Sequence, residues 1–408
     1  MEPVTALKRA NRRRIAYVAA VGGSCLVFVG FGIWLANAQE FPPFDSGSDG
    51  SDGALDLSDR EPGTIVELGP SVDGDNVYHY STIVIPAQVT VKLSSRRLGT
   101  SPVYWLASGS VTIGGTIDLD GEVGHPPGGG VVNALGGAGG FPGGVAQQNG
   151  FGPGGGVVTT VGIRGGKHVS VYGNPFLQPL IGGSGGAGSV FAVGSGREGG
   201  GGAGGGALLI ASSASIDLSG SILARGGAAG STDIWIGGGS GGAVRLLSPR
   251  ISGSGSISTA GGAGSGPGEP GRVRLEAYEL AVSGVITAGT SRSVTLTPTT
   301  SILPTTAAPS MRVTRIAGQP VPANPLGNFA MPDLTFDEAA EVTVEIEARN
   351  VPLGTIANVA VANETDALLT VETTPLAGTV ELSTATAQVR FPNGFTRIFA
   401  SATVPPAE

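Results

Sequence analysis

Apolar residues recur at period two along much of this chain, in short runs cut by polar turns and glycine. Leu208 and Ile210, Val244 and Leu246, and Val273 and Leu275 each skip one position. That spacing puts one apolar set on one face of a β-strand. Four segments share a grammar, at 103–121, 207–227, 243–262 and 273–289. In each, a strand is followed by a polar turn, a second short strand, a glycine corner and a third strand ending in glycine. Gly115, Gly220, Gly255 and Gly284 occupy the corner, and Ile117, Ile222, Ile257 and Ile286 follow two residues later. Ile222 to Ile257 spans 35 residues and Ile257 to Ile286 spans 29. Both fit solenoid rungs that carry loops. One rung cannot bury its own apolar face. Stacked rungs can, with strands about 4.8 Å apart. The pattern predicts a parallel β-helix over residues 77–290, with Tyr78 to Leu93 read as paired strands.

Glycine sharpens this reading. The chain holds 72 glycines, and 53 fall between Gly121 and Thr290. A glycine-rich stretch is costly to order and is usually a flexible linker. Here regular β-branched segments interrupt it. The long insertion at 122–206 interleaves Phe141, Phe151, Tyr172, Phe176 and Phe191 with glycine runs. Compact domains rarely carry so long a loop without structure or function. Glycine-rich runs form packed polyproline-II helices when backbones approach closely, and partial order of that kind is expected.

The composition changes at both ends. Residues 39–76 are acidic and turn-rich and read as a linker. Asp45, Asp49 and Asp56 partly fit a calcium loop, but Gly47 at its third position and Pro42-Pro43 before it break the EF-hand pattern. Residues 291–310 are rich in Thr and Pro, a tether. Only five glycines follow residue 310. There Val342, Val344 and Ile346, then Val359 and Val361, Val371, Val380 and Leu382, and Val389 and Phe391 alternate between turn signals. Six or seven short strands over 311–408 suggest an immunoglobulin-like β-sandwich.

Residues 1–38 form a targeting segment. Lys8, Arg9, Arg12, Arg13 and Arg14 precede an uncharged stretch from Ile15 to Leu35, and Ala36-Asn37-Ala38 offers a cleavage site. The apolar stretch is also just long enough to span a bilayer. A signal peptide cleaved after Ala38 is favoured over an uncleaved anchor. Either way the positive flank sends the remainder across the membrane, to the cell surface or beyond. The sole cysteine, Cys25, lies inside that segment, so the exported part has neither disulfides nor a thiolate. Gly22 stands where a lipid-attachment site wants a larger aliphatic residue.

Charge narrows the function. Charged residues make up 13% of the chain and the net charge is -8. No basic field gathers phosphates, which excludes nucleic acid as a partner. Many β-helices act on polysaccharides, and such chemistry needs clustered acids and bases on neighbouring rungs. Candidates are Asp118, Asp120, Glu122 and His125, then Asp217 and Arg225. Asp118 and Asp120, two apart, should face one side. The later rungs place Leu223, Ser258 and Thr287 where Asp118 stands, so no partner acid follows. His79, His125 and His168 are isolated and lack metal-ligand spacing. Gly165-Gly166-Lys167 is followed by His168 and is no nucleotide-binding loop. Tyr104, Trp105 and the insertion aromatics suit sugar stacking, though such residues more often fill cores.

The runs Tyr80 to Val91, Trp105 to Ile117, Gly239 to Leu246 and Gly271 to Ala277 resemble a group of glycine-rich exported proteins of environmental bacteria. The resemblance covers roughly residues 77–400, including the Val351 to Thr355 turn. It implies export and a β-helical scaffold and transfers no catalytic residue.

The expected fold class is all-β: a parallel β-helix (solenoid) with a long glycine-rich insertion, followed by a C-terminal immunoglobulin-like β-sandwich. The expected function is a non-enzymatic exported structural or adhesive scaffold of the cell surface or medium. Its expected partners are extracellular polysaccharide or cell-envelope components, with the membrane met only through the N-terminal segment. The alternative is a polysaccharide lyase or hydrolase on the β-helix. No catalytic, metal or cofactor residue is assigned, and binding residues are left open.

Overall fold

The computed structural model describes residues 41–128, 132–158, 173, 175–231, 235–297, 302–303, 310–322, 332–336, 341–363, 368–394 and 396–402. Residues 1–38, expected to be a targeting segment, and Tyr172 and His168 lie outside them. Among the described residues no helix is long and apolar enough to cross a membrane.

The chain winds as a three-sided parallel β-helix. It begins with β1 (Leu55–Asp56) and β2 (Ile65–Glu67). Complete rungs follow: β3 (Val77–Tyr80), β4 (Ile83–Ile85) and β5 (Thr90–Lys92), then β6 (Val103–Ala107), β7 (Val111–Ile113) and β8 (Thr116–Asp118). The third rung is β9 (Ala207–Ser212), β10 (Ser215–Leu218) and β11 (Ser221–Leu223). The fourth is β12 (Ala243–Leu247), β13 (Arg250–Gly253) and β14 (Ser256–Ser258). The fifth is β15 (Arg272–Ala277), β16 (Glu279–Val282) and β17 (Ile286–Thr287), and β18 (Thr290–Thr295) closes the stack. Each strand pairs with its counterpart one rung away, giving three parallel six-stranded sheets. Sheet A holds β1, β4, β7, β10, β13 and β16. Sheet B holds β2, β5, β8, β11, β14 and β17, and sheet C holds β3, β6, β9, β12, β15 and β18.

The glycine corners and isoleucines fall as their spacing predicts. Ile117, Ile222, Ile257 and Ile286 stand in register down sheet B. The first three are buried in one core with Val91 of sheet B and Ile216 and Ile251 of sheet A. Trp105, Ile210 and Leu246 face the same interior from sheet C.

Two differences emerge. β3, β4 and β5 pair with the next rung, not with one another, because each lies in a different sheet. The acidic segment is also part of the solenoid and not a linker, since β1 pairs with β4 and β2 with β5. Between Asp45 and Ser51 its side chains bond backbone amides two residues on, at Gly47, Ser48, Gly50 and Ser51. Ser46 and Ser48 then donate to the carbonyls of Ala107 and Tyr80. Short polar side chains that bond their own backbone make a run of turns, which composition alone reads as a spacer. At the other end β18 takes residues 290–295 into sheet C, and Leu296 is buried, so residues 291–296 are not the tether that their Thr/Pro content suggests.

The middle strands of sheet C, β6, β9 and β12, are buried on both faces. Val103, Trp105, Leu208, Ile210, Val244 and Leu246 face the solenoid interior. Tyr104, Leu106, Leu209 and Leu247 face outward, under Phe44, Leu177, Leu180 and Leu296. A strand covered on both sides reads as a continuous apolar run, as in residues 207–211.

The described residues of the glycine-rich insertion form a bundle on the connection from sheet B to sheet C. Segment 199–206 is its centre, and all eight residues are buried. Its amides point in three directions in turn. Gly200, Ala203 and Gly206 donate to His125, Glu122 and Leu119, and Gly201 and Gly204 to Gly144 and Phe141. Gly202 and Gly205 donate to Gly237 and Ser240. A repeat of three with all bonds leaving the segment is the signature of a polyproline-II helix packed among others. Residues 181–189 and 224–230 donate back into the same segment, at the carbonyls of Gly199, Gly200, Gly202, Ala203 and Gly205. With neighbours on every side there is little room for side chains, and only Ala203 carries one, a fully buried methyl group. A Cβ on Gly204 would fall on the carbonyl of Gly183, and one on Gly202 on that of Gly227.

The C-terminal region is a β-sandwich with its own core. One antiparallel sheet runs β20 (Gln319–Pro320), β19 (Ser310–Ile316), β21 (Val342–Arg349), β25 (Ser383–Val389) and β24 (Ala377–Gly378). The other runs β23 (Leu368–Glu372), β22 (Asn358–Asn363) and β26 (Thr396–Ser401). With β19, β21, β22, β24, β25 and β26 as A, B, C, D, E and F, the sheets read A-B-E-D and C-F, the immunoglobulin-type order. Val344, Ile346, Val359 and Val389 share one core. Val380 and Leu382 do not form the expected strand. Thr379 and Leu382 exchange backbone hydrogen bonds in a tight turn, which leaves both apolar side chains exposed. A fragment from Ser310 to Glu408 should melt cooperatively by itself, because its core draws on no solenoid residue. A non-cooperative circular-dichroism melt would contradict that.

Candidate functional site

The candidate acids lie where sheet B runs into the glycine bundle. β8 ends at Asp118, whose Oδ1 accepts the Asp120 amide at 2.9 Å. Asp120 binds Arg225 one rung on. Its Oδ1 accepts the Arg225 amide at 2.7 Å, and its Oδ2 accepts Nε at 2.9 Å and Nη2 at 2.5 Å. These bonds hold the Arg225 guanidinium above its ordinary pKa, Asp120 hydrogen bonding being the largest cause. Charge-assisted, two-pronged bonds of this kind fix geometry. They join the first turns of two polyproline-II segments, whose backbones also meet through Gly121 and the Arg225 carbonyl.

Glu122 and Asp217 are engaged in the same way, whereas Nε2 of His125 is buried without a hydrogen-bond partner. Glu122 accepts the Leu135 amide at 3.0 Å and pairs with Arg96 at 3.2 Å. His125 gives its backbone carbonyl to Gly200, and its Nδ1 lies 3.1 Å from the Pro126 carbonyl. Asp217 accepts hydrogen bonds from Ser219 and Ser252. Thus Asp118, Asp120 and Arg225 are brought together, whereas Asp217 serves the outer face of sheet A. Among the described residues no group of three or more His, Cys, Asp or Glu is placed to hold a metal ion.

The aromatic candidates divide by burial. Trp105 is fully buried and meets Tyr80 edge-on at 6.2 Å. Tyr104 is buried on the outer face of sheet C, and burial pushes its phenol up to about 12, with the Arg245 charge opposing. Phe151 is buried too, while Phe176 is 59% exposed. A concavity of about 250 Å³ lies on the sandwich between β19 and β21, remote in sequence from every candidate acid.

Sequence reasoning missed the buried charges of sheet C. Arg245 and Arg274 both donate through Nε to Glu276 Oε1, each at 2.8 Å. All three side chains are at least nine-tenths buried. The signal was available: Arg245, Arg274 and Glu276 interrupt otherwise apolar strands, and charges rarely enter such runs unpaired.

Comparison with family models, with curated proteins and with solved structures finds no match for this chain.

Proposed function

We propose that the chain is an exported, non-enzymatic scaffold of the cell surface or extracellular space. The solenoid and glycine bundle form a stiff stalk or adhesive surface, the sandwich is a presentation or contact module, and the chain contacts extracellular polysaccharide or envelope components. The observation that carries this reading is the use made of the candidate acids. Asp120 and Glu122 hold a backbone amide and a guanidinium of neighbouring segments, and Asp118 holds the Asp120 amide in its own turn. A general acid or base must instead offer its proton to a bound substrate. Backbone hydrogen bonding in register along both arrays supports the stiffness, because each rung or segment depends on its neighbours. The resemblance to glycine-rich exported proteins and the positively flanked apolar N-terminus support export.

The test uses the double change Asp118→Asn with Asp120→Asn. It should lower stability by about 1–3 kcal/mol, since a charge-assisted network is weakened, and leave surface association intact. Release of reducing sugar or unsaturated product from a polysaccharide panel by the wild type, abolished in the double variant, would overturn the scaffold reading.

A further inference from the structure

The outer face of sheet C carries an arginine ladder. Arg245, Arg274 and Arg292 stand in register on β12, β15 and β18. Like charges on adjacent strands repel, so a ladder of this kind needs anions between its members. Between Arg245 and Arg274 the need is met by Glu276, whose carboxylate takes one bond from each. Between Arg274 and Arg292 it is not. The residue on β18 in register with Glu276 is Val294. Arg292 is exposed and makes no ion pair among the described residues. Deeper in the ladder Arg245 Nη1 is buried without a hydrogen-bond partner, so positive charge exceeds negative there as well. Phe176 lies beside this step, with the Arg274 guanidinium 5.4 Å from its ring centre. Arg274 Nη1 also donates to the Pro175 carbonyl at 3.3 Å, which ties the chain before that ring to the ladder.

We infer that the step between Arg274 and Arg292 is a binding site for a sugar carboxylate, and that the ligand is an acidic polysaccharide of the uronate class. Glu276 is the internal precedent: the ladder already seats one carboxylate between two guanidiniums. Planar guanidinium groups match a carboxylate geometrically, and an exposed aromatic ring beside them suits the apolar face of a sugar. The overall charge of -8 makes this local excess of arginine the part of the molecule suited to an acidic chain. This inference rests on the glycan-contact part of the proposed function and names its ligand.

The test is titration calorimetry of the full-length chain with oligogalacturonate, with maltodextrin as the neutral glycan and inorganic sulfate as the free anion. Oligogalacturonate should bind, more weakly as salt rises, and maltodextrin should not. Arg292→Gln should weaken binding by about tenfold or more, the loss expected for a charge-assisted contact. Val294→Glu places an acid where the ladder lacks one and should abolish binding while the fold, read by circular dichroism, persists. If maltodextrin binds equally, or Arg292→Gln changes nothing, the site is overturned while glycan contact elsewhere stands. Sulfate binding as tightly as oligogalacturonate would overturn the sugar assignment in favour of a free anion. No binding to any glycan would overturn both this site and the glycan-contact reading.

Discussion

Gly204→Ala will destabilise the protein by about 3–5 kcal/mol, although alanine is the smallest side chain that can be added. The new methyl would fall on the carbonyl of Gly183 in the neighbouring segment. That segment would have to retreat, and two bonds hold it in place: Gly183 to the Gly205 carbonyl at 2.7 Å and Gly186 to the Gly202 carbonyl at 2.8 Å. Both lie in the buried centre of the bundle, where an unmade hydrogen bond costs about 1–3 kcal/mol. The compensating gain from a less flexible unfolded chain is smaller, about 0.4–1 kcal/mol. Denaturant unfolding measures the loss, and amide exchange should show 199–206 and 181–189 losing protection together. Ala203→Gly is the control, costing about 1 kcal/mol. A Gly204→Ala protein within about 1 kcal/mol of wild type would mean that the glycines serve only as flexible joints.

Particular residues explain what the sequence revealed. The solenoid was legible because each rung repeats its corner glycine and its inward isoleucine, and both fall in register. Its beginning was hidden, because β1 and β2 are short and are set among Asp, Ser and Gly. The bundle announced its composition but not its geometry, and a signal of period three was present. Leu135, Ala138 and Phe141, or Ile181, Ser184 and Ala187, stand three apart with only glycine between them. A polyproline-II segment at the bundle edge has one of its three directions less crowded, and larger residues collect there. The segment 199–206 is surrounded on all sides, and alanine at 203 is its only departure from glycine. The arginine ladder was harder to see. It depends on pairing strands whose arginines are 18 to 29 residues apart, and only the register of the sheet brings those positions together.

Ile257→Asp tests the solenoid interior, and its cost should depend on pH. Ile257 is 1% exposed in sheet B, between Ile222 on one side and Ile286 on the other. Aspartate there loses the apolar contacts of the isoleucine and buries a carboxyl group with no guanidinium or amide donor beside it in the column. An unpaired buried charge is avoided by protonation, so the folded-state pKa of the new carboxyl rises above its unfolded value of about 3.9. Below that unfolded value the group is neutral in both states, and only the packing and hydrogen-bond loss remains. As pH rises toward the folded pKa, the unfolded state ionises while the folded state resists, so the penalty grows and then levels off. The total near neutral pH should reach several kcal/mol, the scale of buried-charge substitutions. Ile257→Asn removes the same contacts without a charge, so its cost should not vary with pH. Because rungs stack in one dimension, the loss should open the fourth and fifth rungs first and leave amide protection in β4 and β7 comparatively high. A pH-independent loss below about 1 kcal/mol for the aspartate would show that this column reaches solvent, and the stacked interior would have to be placed elsewhere.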